Sequence, residues 1–145
     1  MREIKFRAWD KEGKRMLSIS EIDFHQKHIW GVWRESDIRQ GNYKLLFDEC
    51  ILMQFTGLKD KNGKEIYEGD IVKYKHITGF NAEEDYEQGA DDMGSESEYI
   101  KAIEFKNGEF YPRPAGYFPD DGYYAWRNWD FEVIGNVYEN PELLK

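Results

Sequence analysis

Cysteine, alanine, long apolar runs and clustered basic residues are all scarce in this 145-residue chain. Cys50 is the sole cysteine, which excludes an internal disulfide and a multi-cysteine zinc site. No segment approaches the roughly 20 apolar residues of a membrane-spanning helix. The opening MREIKFRAWD lacks the apolar core of a secretory signal. The expectation is a soluble, cytoplasmic protein with no membrane contact. There is no basic patch of the kind that follows a phosphate backbone, so non-specific nucleic-acid binding is disfavoured. The shortage of alanine argues against a helical bundle.

Acid and aromatic residues are abundant instead. The net charge is −9, and residues 82–98, AEEDYEQGADDMGSESE, hold eight acids and no Lys or Arg. Without that segment the remainder stands near neutrality, at −1. Such a run reads as a mobile, solvated loop; the sharper reading is a mimic of a phosphate backbone that docks a basic partner. Ten Tyr, nine Phe and five Trp make up 17% of the chain. Aromatic side chains suit a pleated surface, which points to strands.

Local patterns agree. In REIKFRAW, Ile4, Phe6 and Ala8 alternate with Lys5 and Arg7, the mark of a half-buried strand. DKEGKR turns the chain with Gly13 at the left-handed position, and MLSIS returns it, so 2–20 is expected to be a hairpin. HIWGVW and CILMQF read as strands, while GNYKLLFDEC fits a strand or a short helical turn. In QFTGLKDKNGKEIYEGDIV, residues 54–72, Asn62-Gly63 predicts a type I′ hairpin turn. Glu68-Gly69-Asp70 marks a second turn, and Ile71-Val72 marks a strand buried on both faces. YIKAIEF and EFY flank a further Asn107-Gly108 turn. A Pro/Gly-rich loop at 112–122 leads to YYAWRNW and FEVIGNVY. Asn140-Pro141 is placed to cap and open a short helix, PELLK.

Three pieces, IKFRAWDKEGKRM (4–16), LMQFTGLKDKNGKEIYEGDIVK (52–73) and FEVIGNVYENPELL (131–144), occur in the order seen in the YopX family of phage- and prophage-encoded proteins, which the chain resembles. The resemblance implies an all-β protein whose later part is a small SH3-like β-barrel. It implies no activity and no catalytic residues to carry over. The expected layout is an N-terminal β-hairpin region over 1–50, an SH3-like barrel region over 51–145 carrying the acidic loop 82–98, and a short C-terminal helical turn. The two regions could equally form one compact unit.

Each candidate site has a plainer reading. Asp60, Asn62, Glu65, Glu68 and Asp70 crowd oxygen ligands together, but Gly63 stands three residues after Asp60 where a calcium loop needs five. The favoured reading is a pair of turns, with Asp70 bonded to local backbone. His25 and His28 would share a helix face and bind a metal with Asp23; on a strand they would diverge. Cys50 follows Asp48-Glu49, an electronegative setting that suits a buried thiol better than a nucleophile. The richest candidate is the aromatic block 110–131. There Tyr117, Phe118, Tyr123, Tyr124, Trp126 and Trp129 are interleaved with Arg113 and Arg127. They would stack bases or grip a protein, or else furnish the core and subunit contacts of a barrel.

No phosphate loop, serine elbow or metalloprotease motif appears, and no cofactor or metal is implied. The leading functional expectation is a non-catalytic accessory protein that binds a host or phage protein, with a homo-oligomer plausible from exposed strand edges. The alternatives are a nucleic-acid-directed protein, acting through the Arg/aromatic block or by acidic mimicry, and an enzyme with an unrecognised site.

Overall fold

The computed structural model describes residues 3–34, 40–78, 95–112 and 131–145. They form eleven strands: β1 Phe6–Asp10, β2 Arg15–Asp23, β3 His28–Arg34, β4 Gln40–Leu46, β5 Cys50–Lys59, β6 Glu65–Tyr67, β7 Asp70–Thr78, β8 Ser95–Ala102, β9 Glu104–Lys106, β10 Glu109–Tyr111 and β11 Glu132–Asn136. A 3-10 helix, Pro141–Leu144, follows. The all-β expectation holds. The strands assemble into a six-stranded sheet in the order β4-β3-β2-β1-β5-β6, a three-stranded sheet β11-β7-β8 and a hairpin β10-β9. Every ladder is antiparallel. Among the described residues these sheets are open, and no closed barrel is traced.

Two apolar clusters hold the sheets. Ala8, Ile29 and Cys50 are buried with Ile19, Leu45 and Leu52 packed on them. Ile66, Val72, Ile103 and Phe131 form the other, with Tyr74, Phe110 and Val133 against it. Ile71 and Val72 are both fully buried, as their adjacent apolar side chains require of a strand covered on both faces. Strand β5 pairs with β1 along one edge, from Phe6↔Gln54 to Asp10↔Cys50, and with β6 along the other, at Phe55↔Tyr67; its Met53 and Phe55 side chains are buried. The Asn136 amide donates to Met53 Sδ at 3.8 Å, and Trp9 stacks on Tyr138 at 5.9 Å.

Buried aspartates set the turns. Asp10 Oδ1 accepts the Glu12 and Gly13 N–H groups at 3.1 and 2.9 Å, closing the β1–β2 hairpin. The left-handed residue there is Lys14, at φ 51°, and not the expected Gly13. Gly13 is needed for another reason: a Cβ would lie 2.2 Å from Asp10 Oδ2. At Asn62-Gly63 the expected type I′ turn is replaced. Gly63 N–H reaches Asp60 O at 2.9 Å, Asp60 N–H reaches Lys64 O at 2.8 Å, and only Gly63 of the pair is left-handed. That is a type I turn closed by a glycine bulge. Asn107-Gly108 does adopt the type I′ form, with φ of 52° and 87°.

Other boundaries moved. GNYKLLFDEC gives strand β4, because every residue from Gln40 to Leu46 pairs with β3. YIKAIEF is broken at buried Ile103, whose N–H and carbonyl bond Asp70 and Gly69 instead of a ladder. Strand β8 begins at Ser95, inside the expected acidic loop: Ser95–Ala102 ladder antiparallel with β7, and Glu98 pairs with Lys73 at 2.9 Å. Asn140 starts the 3-10 helix without a side-chain cap; its Oδ1 accepts the Asn136 N–H instead.

Candidate binding cleft

The residues singled out in the aromatic block, Arg113, Tyr117, Phe118, Tyr123, Tyr124, Trp126, Arg127 and Trp129, lie outside the described residues, as do residues 82–94 of the acidic region. The described residues present a different feature. Strand β2 pairs with β1 only from Arg15 to Ser18. It then continues with β3 as far as Asp23. The lead-in to β1 takes another course: Phe55 N–H donates to Lys5 O at 2.9 Å, so residues before Phe6 follow β5. The sheet splits, and a cleft of about 680 Å³ opens between β1 and β2.

The β1–β2 ladder ends at Arg7↔Ser18, and beyond that pair Ile4, Phe6 and Ile19 line the cleft. A bulge between Ile19 and Glu21 then turns Ile22 into the same space. Ser20 at the bulge donates its hydroxyl to Trp30 O at 3.1 Å. Ile4 stays 71% exposed at the mouth.

One wall carries a charged network. Arg7 donates to Asp70 Oδ1 at 2.6 Å and lies 4.7 Å over the Tyr67 ring. Asp70, 1% exposed, also accepts the Tyr67 N–H at 2.8 Å, the local backbone bond expected of it. Lys5 bonds Glu65 at 2.6 Å and Glu3 at 3.0 Å, and the Tyr67 hydroxyl donates to the other Glu65 oxygen at 2.8 Å. The hydrogen bond to Glu65 raises the Lys5 pKa, and the bonds from Lys5 and Tyr67 lower that of Glu65. Burial, reinforced by Glu65, pushes Tyr67 up to about 12. Lys5, Glu65 and Tyr67 thus keep their ordinary charge states near neutral pH, which suits a structural and recognition role better than proton transfer. Arg7 Nε is buried without a hydrogen-bond partner among the described residues.

The other candidates separate. His25 sits exposed in the β2–β3 turn, while His28 is buried at the start of β3. Asp23 Oδ1 is engaged by the Gln26 N–H at 2.7 Å. Cys50 is buried with its Sγ 3.4 Å from Leu46 O, and burial raises its pKa, the opposite of an activated thiolate. Asp60 bonds backbone alone, through Asn62, Lys64 and Val133.

The cleft went unread in the sequence because the pairing partner of residues 3–5 is a tertiary matter. One signal was present. Ile19 and Ile22 are three apart after Leu17 and Ile19 two apart, a phase slip that a bulge produces.

A comparison with curated proteins finds no match. Among solved structures, the chain is similar to protein EF1440 from Enterococcus faecalis, at 27% identity, TM-score 0.59 and complete coverage of both chains. The model of the YopX protein family matches residues 5–145, and the chain therefore belongs to that family.

Proposed function

We propose that this protein is a non-catalytic accessory factor of phage or prophage origin that binds a host or phage protein in the bacterial cytoplasm. The split between β1 and β2 carries the reading: an open cleft of mixed apolar and polar lining with a wall of paired charges suits recognition, and no nucleophile–base pair is seen in it among the described residues. We read residues 51–145 as the SH3-like barrel region, supported by the short strands around Ile66, Val72, Ile103 and Phe131. The β5 ladder to β1 favours joining it with 1–50 in one compact unit. Exposed Phe24, Phe105 and Ile4 favour self-association as well.

Affinity capture from a bacterial lysate, with and without nuclease, tests the proposal. A discrete protein partner that survives nuclease is the expected result. A partner set lost with nuclease transfers the function to nucleic acid and makes Arg113, Trp126 and Arg127 the residues to replace.

A further inference from the structure

We infer that the partner enters the β1–β2 gap as an extended peptide of alternating apolar and basic residues, adding a strand to the free edge of β2; this rests on the protein-binding reading above. Among the described residues, Ile19–Asp23 pair only on their β3 side, so the other edge presents unpaired backbone groups. Five residues of strand span about 17 Å, the length of an ordinary added strand. The 680 Å³ opening falls within the roughly 300–1,000 Å³ of ligand clefts. Apolar side chains of the guest meet Ile4, Ile19, Ile22 and Val32.

The charge of the guest follows from what the host has already used. Lys5 is bound to Glu3 and Glu65, and Arg7 to Asp70, so neither cation is left to attract an acidic peptide. Glu21 lines the cleft, is exposed and has no ion pair among the described residues. Around the cleft Glu3, Glu21, Glu65 and Asp70 outnumber Lys5 and Arg7, so the mouth selects a basic guest.

The test is hydrogen exchange on the full chain with two synthetic heptapeptides, one alternating valine with lysine and one alternating valine with glutamate. The lysine peptide is expected to slow exchange at residues 19–22 by about tenfold or more, and the glutamate peptide to leave it unchanged. The surface substitution Glu21→Lys reverses that preference, and Ile4→Ser weakens binding of either peptide. Absence of protection at residues 19–22 at millimolar lysine peptide, or protection confined to another strand, overturns the inference. So does an unaltered preference in Glu21→Lys. If these fail while nuclease-resistant capture of a protein persists, the partner docks elsewhere and only the cleft assignment falls. If capture fails too, the protein-binding reading falls with it.

Discussion

Asp60 and Val133 are 73 residues apart, yet Asp60 Oδ2 accepts the Val133 N–H at 3.0 Å while its other oxygen holds Asn62 and Lys64. One carboxylate thus closes a turn and fastens strand β11 to it. Asp60→Ala leaves three donors without an acceptor and is expected to cost about 2–4 kcal/mol in urea unfolding. Asp60→Asn keeps one acceptor oxygen and costs less.

The same residue gives a pH dependence. Burial opposes the Asp60 charge, but the three backbone N–H groups prevail and lower its pKa. A folded pKa below the unfolded value contributes stability that is complete above the unfolded value, and is lost as pH falls through the folded one. Asp60→Asn should therefore flatten the stability profile below about pH 4, where carboxylates titrate, and leave its shape at neutral pH unchanged.

Arg7 and Asp70 form the most buried ion pair described, with side chains 16% and 1% exposed. Removing Arg7 strands a buried carboxylate, so Arg7→Ala is expected to destabilise by about 3–5 kcal/mol. The double variant Arg7→Met with Asp70→Asn should lose less than the sum of its singles. A double-mutant cycle by denaturant unfolding measures the coupling, and additivity would contradict the pairing.

Gly31 is set by packing. A Cβ there would sit 3.0 Å from Leu17 Cβ and 3.1 Å from its Cδ1, both on the adjacent strand. Gly31→Ala should cost about 1–3 kcal/mol, seen as a melting temperature lowered by several degrees. Leu17→Ala in the same chain should recover part of the clash while opening a cavity of its own.

Cys50 is buried, and its thiol pKa is raised by that burial. A thiol reagent should label it only on unfolding, at a rate that rises with denaturant. Rapid labelling of the native protein would show that β5 opens at its start.

The strands themselves were legible because side-chain alternation is local. Phe6 and Ala8, Ile29, the doubly buried Ile71-Val72 and the Asn107-Gly108 turn all appear where period and turn chemistry put them. Asn62-Gly63 was misread although it is the same dipeptide as Asn107-Gly108. Asp60 engages the turn from inside and Val133 from a distant strand, and a local rule contains neither. YIKAIEF broke at Ile103 for a similar reason, since its backbone groups serve Gly69 and Asp70.

The sequence by itself determined an all-β chain and an acid-rich charge balance, because composition and short-range periodicity encode them, and its three ordered pieces carried the family resemblance. Only the tertiary structure decided which strands neighbour one another. The N-terminal strand begins on β5 before it meets β2, and that choice leaves the gap at Ile19–Asp23. It also decided which aspartates are structural: Asp10, Asp60 and Asp70 are buried because each finds backbone or arginine donors, and only the folded chain brings all of those donors within reach.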